Sequence, residues 1–210
     1  MTDRNKKYKR YNMTKTTIKL NLPSIDEVNK YLNKWNSLEN YVLQESSLDK
    51  LFHYTYPNNI DMDDVLIKVC SLNDFYSTNI FSPFSLAKHI VELNIDDRLK
   101  NGDLSLVQDI AKINIKGRDL FFYSFATKYC SHHFDTKYPI YDYYVEKVLK
   151  YFRDKDNFSK FKNNDLKEYG LFYSILTEFQ CFYNLDKFNL KEIDKYLWQT
   201  GKDFFPRNYK

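Results

Sequence analysis

Residues 113–152, INIKGRDLFFYSFATKYCSHHFDTKYPIYDYYVEKVLKYF, decide how this chain is read. Bulky apolar residues from Arg118 to Cys130 predict one helix, Ser131 to Lys137 a polar connection, and Pro139 to Phe152 a second helix. Lys116-Gly117 lies just ahead of the first helix and is expected to form a hairpin between two helices, with Arg118 beside it. Asp142 falls where a helix begins, among Tyr138, Tyr141, Tyr143 and Tyr144.

Working outward, the same helical spacing recurs. Pro23 precedes Ser24-Ile-Asp-Glu27, a predicted capping box, and Val28, Leu32, Trp35 and Leu38 follow at helical intervals, with a break expected near Glu45–Ser47. Asp61 is expected to cap a helix through Met62, Val65, Leu66, Ile67, Val69, Cys70 and Leu72, apolar on nearly every face and so the most buried of the set. It ends in the polar–aromatic cluster Asn73–Asn79. Ser82-Pro83 opens the next helix, and Asn101-Gly102-Asp103 turns the chain into another short one. Leu166 to Tyr183 is helical, and Asn189 with Glu192 caps Leu190 to Thr200, which Gly201 is expected to stop. No alternation of period two stands out. The predicted fold class is all-α, a two-lobed helical bundle with a helix-hairpin-helix element.

Composition bounds what such a bundle can do. The chain has 210 residues, 43% hydrophobic and 29% charged, with only four glycines but 19 Tyr and 17 Phe. Positive charge is uneven: residues 1–20 hold Arg4, Lys6, Lys7, Lys9, Arg10, Lys15 and Lys19 against Asp3, while the rest is slightly acidic. We read 1–20 as a flexible basic arm, compatible with nucleic-acid contact or with a solvated tail, and 21–210 as one helical domain. Cys70, Cys130 and Cys181 are isolated in apolar helical contexts, which fits core packing in a reducing cytoplasm. No apolar run reaches about 18 residues and the N-terminus lacks a signal-peptide core, so no membrane partner is expected. Walker-type and dinucleotide-binding glycine patterns are absent, excluding those nucleotide chemistries. Cys130, His132 and His133 invite a metal, but adjacent histidines diverge on a helix and no second ligand group matches them; neither a metal nor a cofactor is expected.

The order of short helices, a hairpin, a helix and then an Asp opening a further helix resembles the helix-hairpin-helix–Gly/Pro/Asp superfamily of base-excision DNA glycosylases, over roughly residues 61–201. Ile115-Lys116-Gly117-Arg118 matches the hairpin, and Ile140-Tyr141-Asp142-Tyr143-Tyr144-Val145 the aspartate segment. Phe125-Ala126-Thr127-Lys128 is similar to a motif of the archaeal 8-oxoguanine branch, and Leu197-Trp198-Gln199 falls where 8-oxoguanine glycosylases place pocket residues. The resemblance implies a DNA-binding N-glycosylase that flips a damaged or modified base out of double-stranded DNA. It makes Asp142 the catalytic carboxylate, with Tyr76, Thr78, Asn79, Lys128, Tyr141, Tyr144, Trp198 and Gln199 around the base. Lys116, Gly117 and Arg118 would hold the DNA backbone. Bifunctional members carry a lysine nucleophile early in the helix after the hairpin, where this chain has Asp119, Leu120 and Phe121, so a monofunctional enzyme with Asp-activated water is expected. The alternative is a catalytically inactive helical module binding DNA, protein or a small aromatic ligand, in which Asp142 is only a cap.

Overall fold

The computed structural model describes residues 19–207, so the predicted arm at 1–20 lies almost wholly outside the described residues. The fold is mostly helical. Helices α1 (Ile25–Asn36) and α2 (Glu39–Asp49) lead into a π-helical turn over Lys50–Thr55, followed by α3 (Met62–Tyr76), α4 (Pro83–Glu92), α5 (Asp96–Asn101) and α6 (Ser105–Ala111). Strands β1 (Lys112–Ile115) and β2 (Arg118–Phe121) come next. Then follow α7 (Tyr123–His133), α8 (Tyr143–Asp156), a 3-10 turn at Asp165–Lys167, α9 (Tyr169–Phe182) and α10 (Leu190–Phe204). Among the described residues no helix is long and apolar enough to cross a membrane.

The hairpin corrects the sequence reading. Lys116-Gly117 joins two antiparallel strands, not two helices, in the register Ile113↔Leu120, Asn114↔Asp119 and Ile115↔Arg118. Both turn residues have positive φ, 53° at Lys116 and 78° at Gly117, the geometry that matches the right-handed twist of a two-residue β-hairpin. Asn114 reinforces it: its Nδ2 donates to Asp119 Oδ1 across the strands at 2.7 Å, and its Oδ1 accepts from Gly117 N at 3.0 Å. A helix over Arg118–Cys130 therefore starts only at Tyr123.

Other boundaries moved for identifiable reasons. Ser24 Oγ accepts from Glu27 N at 3.2 Å, but the Glu27 carboxylate turns to Asn21 and Lys30, so only half of the capping box forms. The first long helix breaks at Ser37–Leu38, not near Glu45–Ser47. Helix α3 leaves Ile67 and Cys70 exposed, and the most sheltered helix is α7, where every residue but Ser124 is buried. Cys130 is a core residue as expected, whereas Cys181 is exposed like Cys70. The Asn189–Glu192 capping box forms in full.

Two contacts lock the helices that matter below. Lys68, on α3, is fully buried, and its Nζ donates to Tyr56 O, Asn58 O and Asn59 Oδ1 at 2.7 to 3.0 Å. Asn59 Oδ1 also accepts from Tyr129 Oη at 2.6 Å and meets His133 Nε2 at 3.2 Å, so one loop side chain ties α3 to α7. Burial lowers the Lys68 pKa to about 8, and the three acceptors compensate the desolvated ammonium.

The second contact is between α8 and α10. Gly201 does not end α10; it lies inside it, where a Cβ would stand 2.6 Å from both Tyr144 Cβ and Tyr144 O. Only a residue without a side chain lets the two helices approach so closely. Gly201→Ala is expected to force them apart and to destabilise the fold by about 1–3 kcal/mol, the usual cost of overpacking a tight contact. Chemical denaturation measures it, and an unchanged midpoint would show that the contact is loose.

Candidate functional site

Six helices converge on a cavity of about 330 Å³, within the range of small-ligand sites. Trp35 comes from α1, Tyr41 and Glu45 from α2, Tyr76 from the end of α3, Lys128 from α7, Asp142 and Tyr144 from the start of α8, and Lys191, Asp194, Lys195, Trp198 and Lys202 from α10. Arg207 closes one side. A second cavity of about 380 Å³ shares Tyr76, Ser77, Lys128, Asp142 and Arg207 with the first, and extends towards Thr78, Asn79, Phe121 and Tyr141.

Asp142 is the N-cap of α8, with extended backbone and Oδ1 accepting from Tyr144 N at 2.8 Å. Its Oδ2 is not used by the cap and lies 3.7 Å from Lys128 Nζ. Lys128 is buried, donates to Ser124 Oγ at 2.6 Å, and sits 5.2 Å from the centre of the Tyr76 ring. Burial lowers its pKa, while the Asp142 carboxylate acts in the opposite direction. Tyr76 Oη is hydrogen-bonded to His132 Nε2 at 2.9 Å. Burial keeps that pair neutral, depressing His132 to about 3 and raising the Tyr76 phenol.

One wall is aromatic. Trp198 meets Trp35 edge-to-face at 5.8 Å, Tyr41 at 5.2 Å and Tyr144 at 6.1 Å. Cations lie against these rings: Lys202 Nζ is 4.7 Å from the centres of both Tyr41 and Trp198, and Lys195 Nζ is 5.0 Å from Trp35. Glu45 binds Lys191 at 3.0 Å, Lys195 at 2.9 Å and Trp35 Nε1 at 3.1 Å. Burial alone would raise its pKa, but the two lysines prevail and hold it below the ordinary carboxylate value. The lining as a whole carries five basic side chains and three carboxyls, which favours an aromatic ligand with negative charge nearby.

Of the residues singled out from sequence, Asp142, Tyr76, Lys128, Tyr144 and Trp198 share the first cavity, and Thr78, Asn79 and Tyr141 line the second. Gln199 is a correction. It is buried on another face of α10, where its Nε2 donates to Tyr31 O at 2.8 Å and to Lys195 O at 3.2 Å. The Gly117 N–H, expected to hold a phosphate, is taken by Asn114, leaving only the exposed Lys116 and Arg118 side chains at the hairpin tip. Sequence reading missed Trp35, Tyr41, Glu45, Lys191, Asp194, Lys195, Lys202 and Arg207. A signal existed for α10: residues 191, 195, 198 and 202 recur at helical spacing, placing three lysines on the face of Trp198.

Asp194 is unlike the other carboxyls here. Its Oδ1 is sealed from solvent and has no hydrogen-bond partner. Burial raises its pKa to about 7 against the opposing pull of Lys191, with Asp142 adding to the rise. Between 3.8, its ordinary value, and about 7 the unfolded chain gives up a proton that the folded chain keeps, so this group lowers stability as pH rises. Asp194→Asn is therefore expected to stabilise the fold, by about 2 kcal/mol at pH 7 and by much less at pH 4, given partial exposure of the residue. Urea unfolding at both pH values checks this; a gain independent of pH would refute the buried-acid assignment.

Residues 27–138 match the family model HI_0787_N, described as an N-terminal domain. An uncharacterized protein of Haemophilus influenzae (strain ATCC 51907 / DSM 11121 / KW20 / Rd) is 49% identical over 148 residues, covering 70% of this chain and 71% of its own. No solved structure matches the chain. The matched segment supplies Trp35, Tyr41, Glu45, Tyr76 and Lys128 to the cavity, and Asp142, Tyr144 and the α10 residues lie beyond it. With more than half of its residues inside that family model, the chain belongs to the HI_0787_N family.

Proposed function

We propose that this protein binds double-stranded DNA, takes a damaged or modified base into the aromatic cavity, and hydrolyses its N-glycosidic bond. The observation that carries the reading is the division of labour at Asp142: Oδ1 caps α8, and Oδ2 is left beside the Lys128 ammonium in a cavity walled by Tyr144 and Trp198. Breaking an N-glycosidic bond builds positive charge on the sugar. A carboxylate held in place by backbone stabilises that charge and takes a proton from the attacking water. The Lys128 ammonium orients Oδ2 towards the cavity.

The aromatic wall offers stacking surface for an extruded base. Lys202 and Arg207 border the same opening and supply charge for the flanking phosphates. The exposed Lys116 and Arg118 add backbone contacts from the hairpin, whose last residue, Phe121, borders the second cavity. No lysine stands at Asp119–Phe121, in keeping with hydrolysis without strand cleavage.

The test is base release from duplexes carrying oxidised, alkylated, deaminated or hypermodified bases, with abasic sites revealed by alkali. Asn is as good an N-cap as Asp, so Asp142→Asn keeps helix α8 intact while removing the carboxylate. The variant is expected to retain salt-dependent duplex binding and to lose at least about 100-fold in release. Strand cleavage without alkali would reassign Lys128 as a nucleophile. Absence of both release and salt-dependent binding would leave Asp142 as a cap in a helical binding module.

A further inference from the structure

Asp194 lines the same cavity as Asp142, one helical turn from Lys191 and from Trp198, yet no protein group binds its sealed oxygen. The nearby cations are committed elsewhere. Lys191 and Lys195 both hold Glu45, and Lys128 is bound by Ser124 and faces Asp142. A polar atom shut away from water without a partner is costly unless something else satisfies it. A neutral carboxyl bears that cost far better than a carboxylate, so the sealed oxygen keeps a proton on a residue that borders the cavity.

Resting on the glycosylase reading above, we propose that Asp194 is the acid that protonates the departing base. The two carboxyls of the cavity then have different tasks. When the bond between C1′ and the base nitrogen breaks, its electron pair goes to the base, and a neutral base leaves poorly as an anion. The Asp194 carboxyl gives its proton to that nitrogen and becomes a carboxylate. Water attacks C1′ and loses a proton to Asp142, which becomes the acid. The products are a sugar hydroxyl and a neutral base, and a proton passing from Asp142 to Asp194 through solvent restores the starting state. Burial supports the assignment by holding the Asp194 proton up to about pH 7. The groups facing it are Lys191 and Lys195 on its own helix, Glu45 from α2, Tyr76 from α3, Lys128 from α7, and Asp142 with Tyr144 at α8; Lys202 and Arg207 also border the cavity.

The experiment uses the full chain and its Asp194→Asn variant, which keeps the shape of the side chain but cannot deliver a proton. For a base that the wild type releases, ring-substituted analogues of graded leaving-group acidity are compared in duplex DNA. The variant is expected to lose about 100-fold on the poorest leaving group and no more than about threefold on the most acidic one. The fall in wild-type rate as pH rises past about 7 should disappear in the variant. Equal losses across the series, or an unchanged pH profile, would overturn the role of Asp194 while leaving the glycosylase reading standing. No release of any base by the wild type would overturn both.

Discussion

The close approach of α8 and α10 at Gly201 is the constraint on which the site depends. Because no side chain separates Gly201 from the Tyr144 backbone, the start of α8 is pressed against the middle of α10. Asp142 is two residues before Tyr144, and Trp198 is one turn before Gly201, so this single contact brings a capping carboxylate and an indole ring to the same opening. The α3–α7 tie through Lys68 and Asn59 does the same for the opposite wall, fixing the helix that carries Lys128. Both walls are thus fixed by backbone packing and by polar ties set behind the lining side chains.

Burial then sorts the ionisable groups. Where two lysines meet one carboxyl, at Glu45, attraction outweighs desolvation and the charge is retained. Where no cation comes within pairing distance, at Asp194, desolvation wins and the proton stays. Lys128 lies between these limits, its ammonium penalised by burial and supported by the Asp142 carboxylate. Side chains within one cavity therefore differ in acidity because they differ in partners.

Helical architecture was legible in the sequence because amphipathic spacing and polar caps are local signals. Asn189–Glu192, Pro83 and Asp142 all sit at the helix starts their chemistry predicts. The β-hairpin was not, since Ile113-Asn114-Ile115 alternates over too few residues to stand against the long apolar run after it, and the cross-strand Asn114–Asp119 pair shows only once the chain has folded. Gly201 misled for a related reason: a glycine near a predicted helix end reads as a stop, and only the packing partner reveals a crossing point. At the site, Asp142, Lys128 and Tyr76 could be picked out from sequence. Trp35, Tyr41 and Glu45 could not, because their role depends on α1 and α2 folding against a helix some 150 residues later in the chain.

That separation bears on how the molecule is made. The segment shared with the HI_0787_N model ends at residue 138, before Asp142. During synthesis the ring faces of Trp35 and Tyr41 and the carboxylate of Glu45 emerge first, and their partners on α10 come last. Until that final helix docks, an acidic and aromatic surface stands open without its lysines, and no enclosed chamber exists. The cavity is therefore a property of the finished tertiary structure alone, and a chain lacking α10 lacks the wall that Lys191, Asp194, Lys195, Trp198 and Lys202 supply.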